Sequence, residues 1–209
     1  MPFGSDEDFD DLLPAHLKIK SSVHFTPVEV AVVAARLLAP KPGMRILDVG
    51  CGPGKFCLTA ANQCPTSIFE GVDFRKRVVE IATGLAQQLG LQNASFIHAD
   101  AFALDWSKYD GFYFFNPFAE QLYHGFLFLD HTIEFDPAKY VQFVLAVRAR
   151  LADARIGTRV VTYHGFGGST PSGYELVSDQ VVGTDRIELW EKVRPTYRIM
   201  IDDEFAEAV

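Results

Sequence analysis

Positive charge is scarce in this chain. Its 209 residues carry 19 Lys and Arg against 27 Asp and Glu, a formal net charge of −8 with a pI near 5.2. A protein that grips duplex DNA unaided draws most of its affinity from neutralised phosphates and needs a basic stripe. The only basic runs are KIK at 18–20 and RKR at 75–77, and the second reads as the solvated start of a helix. Duplex DNA is therefore not expected as a partner. Cysteine is sparse too: Cys51, Cys57 and Cys64 are odd in number, at spacings matching neither a CxxC pair nor a zinc ribbon. They are expected to be small packing residues, with no disulfide framework. The opening MPFGSDEDFDD lacks the cationic start and apolar run of a secretory signal, and no apolar stretch reaches membrane-spanning length. A cytoplasmic protein with no membrane partner is expected.

What is present suits a single α/β domain. A hydrophobic fraction of 48% with 22% charged residues supplies a buried sheet core. The organising stretch is MRILDVGCGPG at 44–54. Its first half is apolar and β-prone, a buried parallel strand. It breaks at Gly50, Gly52 and Gly54 and continues into KFCLTAANQ, a helix-compatible run. Strand, glycine turn and helix form the first half of a nucleotide-binding crossover, in which glycine lets backbone approach a ligand closely. Asp48 sits just before the turn, where a carboxylate can reach a ligand's ammonium or orient the loop. Asp73 ends the next predicted strand, near the spacing at which an acid accepts from ribose hydroxyls.

The remaining elements follow in order. Residues 1–22 are an acidic extension whose first 13 residues read as a mobile tail; the domain runs over 23–193, and 194–209 is a second tail. In HFTPVEVAVVAARLL, Thr26 and Glu29 form a Thr-x-x-Glu capping box, with Pro27 opening the helix. Strands are predicted at 67–72, 93–99, 110–115 and 159–164, and helices at 75–90 and 137–151. A hairpin at 174–193 turns near Gly183 and Thr184. The segment 120–136 carries His124, His131 and Glu134; their spacing and the lack of a third nearby ligand weigh against a metal, and a lid suits so long a connection better. GFGGSTPSG at 165–173 has no following GK[ST] and reads as a mobile substrate rim rather than a phosphate cradle.

The string D-V-G-C-G-P-G, with Asp73 after the second strand, resembles the first motifs of class I S-adenosylmethionine-dependent methyltransferases. The resemblance implies a Rossmann-like, doubly wound, mostly parallel seven-stranded sheet ending in an antiparallel hairpin. It implies S-adenosylmethionine as cofactor, held by Asp48, Gly50, Cys51, Gly52, Gly54, Asp73 and Phe74. Asp100 and Ala101 stand at the family's adenine-binding position, although Asp100 also suits an ordinary strand-closing turn. Phe25 and Thr26, in F-T-P before a valine-rich helix, resemble the cofactor-contacting segment of amino-methylating DNA enzymes and some protein-lysine methyltransferases. Asn116-Pro117-Phe118 resembles the (N/D)PP(Y/F) motif of enzymes that methylate nitrogen, with one proline fewer, and so resembles protein-lysine methyltransferase-like families.

Methyl transfer from a sulfonium needs the acceptor's lone pair aimed along the sulfur–methyl axis at near-attack distance. Asn116 Oδ1 and the Pro117 carbonyl are the expected acceptors of the substrate's N–H groups, with Phe118 packing on the substrate or the donor's edge. Asn116 would also touch the cofactor. No general base is evident, and none is demanded if the proton leaves to solvent. An acidic surface steers cations, which favours a protein or small-molecule amine as acceptor over a nucleobase. A nicotinamide enzyme is disfavoured because GxGxG departs from the GxGxxG fingerprint. A nucleic-acid amino-methyltransferase, and a cofactor-binding protein without catalysis, stay open.

Overall fold

The computed structural model describes residues 4–122, 129 and 136–197. Its first residues depart from the expected tail. Three short helices, α1 (Asp6–Asp10), α2 (Ala15–Lys18) and α3 (Ser21–His24), lie against the domain. Ser5 and Asp8 form a reciprocal capping box for α1, and Phe9, Leu13 and Leu17 are buried in the same core as the sheet. The acidic look of this segment hid an apolar face at roughly helical spacing.

Helix α4 (Val28–Leu38) follows Phe25–Thr26–Pro27, and the capping box does not form. Pro27 is the N-cap, and the Val28 N–H donates to Asp6 Oδ1 at 2.8 Å. Thr26 instead bonds Tyr113 through its hydroxyl at 3.1 Å. The cap is thus supplied by the extension, a partner no local pattern could name. Taken together, Ser21–Leu38 are apolar and long enough to cross a membrane on length and composition, contrary to expectation. The extended Phe25 interrupts that run, and α4 buries Val30, Ala31, Ala34, Ala35 and Leu38 in the core.

The crossovers run as the sequence pattern implied: β1 (Arg45–Val49), α5 (Lys55–Gln63), β2 (Ile68–Asp73), α6 (Lys76–Gln88), β3 (Ala94–His98) and β4 (Gly111–Phe115). Helix α7 (Pro137–Asp153), β5 (Arg159–Tyr163), β6 (Tyr174–Val182) and β7 (Asp185–Lys192) complete the chain. The strands form one seven-stranded sheet in the order β3-β2-β1-β4-β5-β7-β6. The first five are parallel, and the hairpin adds β7 and β6 antiparallel. Strand residues alternate between two cores. Ile46, Phe69, Tyr113 and Val161 face α4 and α5, whereas Leu47, Phe112, Phe114 and Val160 face Trp106 and α7. This two-sided burial explains why β1 and β4 read as continuous apolar runs. Strand order reverses between β1 and β4, where open α/β sheets bind ligands. Phe166 is buried, and a side chain at Gly167 would collide with Tyr140 of α7. The start of the glycine-rich loop is therefore packed rather than a free rim.

Phe9→Ala should lower unfolding free energy by about 3 kcal/mol, the range for truncating a buried phenylalanine. Urea unfolding measures it; an unchanged midpoint would return the extension to a tail.

Candidate functional site

A pocket of about 330 Å³ opens at the carboxyl ends of β1, β2, β3 and β4. Its floor is Val49, Gly50 and Val72, and Asp73, Phe74 and Arg75 form one side. Asp100 and Ala101 form another, and Pro117, Phe118, Glu120 and Gln121 come from the end of β4. The size suits a nucleoside.

The glycine turn owes its shape to three left-handed residues, Gly50, Gly52 and Gly54, at φ 81°, 52° and 85°. Gly50 and Gly54 are also sterically required. A Cβ on Gly50 would stand 2.9 Å from Pro117 Cβ, and one on Gly54 would stand 2.5 Å from Phe96. Gly50 therefore lets the β1 and β4 loops meet, whereas Gly54 lets α5 settle against β3. Of the three, Gly50 alone lines the pocket. Gly52 faces the ring of Phe25, which packs against the loop and does not line the pocket.

Asp73 has no exposed side-chain surface. It accepts from Gly52 N–H at 3.0 Å, from Arg75 N–H at 2.9 Å, and from Arg75 Nε and Nη2 at 2.9 and 3.3 Å. Those four bonds use the acceptor capacity of a carboxylate. Arg75 is buried rather than solvated, which corrects the reading of the RKR run; only Lys76 and Arg77 are exposed. Its Nη1 also donates to Glu120 Oε2 at 2.9 Å, bridging the ends of β2 and β4. Neighbouring Asp73 and Glu120 hold the guanidinium's affinity for its proton up against the opposing effect of burial. Asp100 is exposed; its Oδ1 caps the following turn through Phe102 N–H at 2.9 Å, leaving Oδ2 toward solvent.

Asp48 near the end of β1 and Cys51 within the turn are both buried and outside the pocket lining. Burial, with a smaller push from Asp73, raises the Asp48 carboxyl to about 8 against the stabilising bond from Cys57 Sγ at 3.7 Å. Burial likewise pushes the Cys51 and Cys57 thiols well up, as suits packing residues.

Asn116 has φ 41°, a conformation few side chains tolerate. Its N–H donates to Gly165 O at 2.9 Å, and among the described residues nothing binds its side chain. It stands beside the pocket but does not line it, whereas Pro117 and Phe118 do. Phe118 joins an aromatic wall with Phe102 and Phe143, at centroid distances of 6.2 and 5.1 Å. Thr26 lies under this strand through its bond to Tyr113. The sequence reading missed Arg75, Glu120, Phe102, Lys139 and Phe143. Arg75 alone carried a local signal, two residues beyond the acidic strand end. His124, His131 and Glu134 lie outside the described residues.

Asp48 gives a pH test. Between about pH 4 and 8 the folded chain holds a proton there that the unfolded chain has lost. Stability should therefore fall with rising pH, by up to about 1.4 kcal/mol per unit from this group. Asp48→Asn should flatten that slope in urea unfolding at stepped pH; an identical slope would show that Asp48 ionises freely in the fold.

Residues 40–140, just under half of the chain, match the family model for a methyltransferase domain. A tRNA (guanine-N(7)-)-methyltransferase of Synechococcus is 41% identical over 54 residues, which is 26% of this chain and 23% of that protein. The chain thus spans about a quarter of that relative's length. Among solved structures, TrmN from Thermus thermophilus is 25% identical with a TM-score of 0.62, over 83% of this chain and 51% of that one. An RNA methyltransferase from Salinibacter ruber, solved with S-adenosyl-L-homocysteine, shares the fold at 17% identity and a TM-score of 0.55, covering 82% and 95%. Domain match and sheet order agree: residues 40–140 resemble a methyltransferase domain, and the chain shares the fold of these S-adenosylmethionine-dependent enzymes.

Proposed function

We propose that the protein transfers the methyl group of S-adenosylmethionine to a nitrogen acceptor. The observation that carries this is the placement of Asn116, strained and with a side chain that no described residue binds, at the carboxyl end of β4 beside a nucleoside-sized pocket. Strain persists where the surrounding structure over-determines it, and it clusters at ligand sites. Adenine fits between Phe74 and Ala101, with Asp100 Oδ2 placed to accept from its amino group. The ribose fits at Asp73, provided the Arg75 guanidinium yields part of its hold on that carboxylate. The residues present suit the cofactor's nucleoside half. When bound, the cofactor supplies an electrophilic methyl group; the chain's part is to orient the acceptor and exclude water.

A dinucleotide suits the site less well. Its pyrophosphate needs an open helix N-terminus, but the first turn of α5 is buried and Lys55 is engaged by Asp6 and Asp10 at 2.8 and 2.9 Å. For the acceptor, the net charge of −8 favours a cationic amine of a protein or small molecule. An RNA nucleobase is the second reading. It is favoured by the RNA acceptors named for the tRNA and Salinibacter enzymes.

Calorimetry should give saturable heat with S-adenosylmethionine and S-adenosyl-L-homocysteine and none with NAD; the reverse pattern would remove the proposal. Asp73→Ala should weaken binding by about 1–3 kcal/mol, the usual cost of unpairing buried polar groups. Asn116→Ala should abolish radiolabel transfer into a cell extract while cofactor affinity holds. Wild-type transfer by that variant would reduce Asn116 to a turn residue. In the same assay, label lost to nuclease but not to protease would select RNA, and the opposite pattern a protein amine.

A further inference from the structure

The strand beside β4 ends in the same unusual way. His164 follows β5 as Asn116 follows β4, and these two are the non-glycine residues with positive φ among the described residues, at 60° and 41°. Phe115 and Tyr163 are the last paired residues of the two strands. The two strained residues therefore stand next to each other, joined by the bond from Asn116 N–H to Gly165 O at 2.9 Å.

The His164 ring is held from several directions. Its centroid lies 5.3 Å from that of Phe115 and 4.5 Å from that of Tyr163. Its Nδ1 is paired with Asp185 Oδ2 at the start of β7. Asp185 is itself placed by the hairpin turn, where Thr184 N–H donates to Tyr163 Oη at 3.3 Å and Tyr163 Oη donates to Val182 O at 3.2 Å. Among the described residues nothing engages Nε2. The side chains of His164 and Asp185 are 38% and 39% exposed, so the pair is reachable from outside. Among the described residues, the other ionisable groups near it include Tyr163 on β5, Glu29 on α4, whose carboxylate reaches the Gly183 turn, and Arg186, which follows Asp185 on β7 and is drawn to its charge. An imidazole with one nitrogen held by a carboxylate and the other free is the arrangement of a proton acceptor.

We propose that His164, oriented by Asp185, takes the proton that the acceptor nitrogen gives up on methylation. This rests on the methyl-transfer reading above and adds the group that handles the proton. The acceptor's lone pair forms the new N–C bond, and the pair of the breaking S–C bond stays on sulfur, leaving a neutral thioether. The N–H proton passes to Nε2 of the neutral ring, whose Nδ1–H points at Asp185, and the imidazolium then releases a proton to solvent.

The test uses the full chain, tritium-labelled S-adenosylmethionine and a cell extract as acceptor source, with rates taken across a pH series at saturating donor. His164→Asn tolerates the left-handed backbone and keeps a side chain able to bond Asp185. It should lower the rate about 100-fold and remove the acid-side fall of the profile, with donor affinity by calorimetry unchanged. Asp185→Asn keeps the imidazole but removes the negative charge, and should move that fall to lower pH. A rate and profile equal to wild type in both variants would overturn the proposal and leave methyl transfer standing. A rate lowered evenly across pH would also overturn it, because a residue that merely ties β5 to the hairpin would act so. A wild-type chain that neither binds the donor nor transfers label would remove this proposal together with the reading beneath it.

Discussion

The Asp73 carboxylate ties the switch point of the sheet together. It lies at the end of β2, fully buried, and accepts from the glycine turn after β1 through Gly52. It also orients Arg75, whose far side reaches Glu120 beyond β4. One anion thereby sets the relative positions of three strand ends and one wall of the pocket. A buried carboxylate is tolerable because four donors satisfy it and a guanidinium balances its charge. On the neighbouring strand β1, Asp48 accepts from the Cys57 thiol, and burial pushes its carboxyl up to about 8. Burial is thus met by four hydrogen bonds at Asp73, whereas at Asp48 it outweighs the single thiol bond.

A second constraint comes from the N-terminal extension. Lys55 opens α5 directly after the glycine turn, with its side chain almost fully buried. Asp6 and Asp10 of α1 and the Ser21 hydroxyl satisfy its ammonium. Asp6 also accepts from the first N–H of α4. The extension therefore supplies the counter-charge that allows a lysine beneath the turn, and the cap that starts the neighbouring helix. Its acidity is a structural requirement of the domain rather than the composition of a solvated tail. The same carboxylates occupy the charge at the start of α5, a place where other nucleotide folds receive phosphate.

Asn116 and His164 show how the parallel core ends. Both β4 and β5 are buried on two faces, and each stops at a residue turned into the left-handed region. Gly165 then closes the pair by accepting from Asn116. This geometry sets two polar residues side by side at the carboxyl ends of β4 and β5, with the His164 ring against Phe115 and Tyr163. Hydrophobic burial of the strands holds the frame that positions these two ends.

Local pattern determined a great deal here. Continuous apolar runs determined β1 and β4, because strands buried on both faces cannot alternate. Gly50, Gly52 and Gly54 determined the turn, because positive φ is open to glycine at little steric cost. The spacing of β1, the glycines and Asp73 was enough to place the first crossover and the turn beside the pocket. Only the tertiary structure decided that Arg75 turns inward to Asp73 and Glu120, that Asp6 rather than Thr26 caps α4, and that His164 meets Asp185 beside Asn116. In the last two the partners lie some twenty residues apart in the chain, and in the first Glu120 lies farther still. Periodicity reports which face of an element is buried; it carries no information about which distant charge will meet that face, because that is settled by the packing of whole elements against one another.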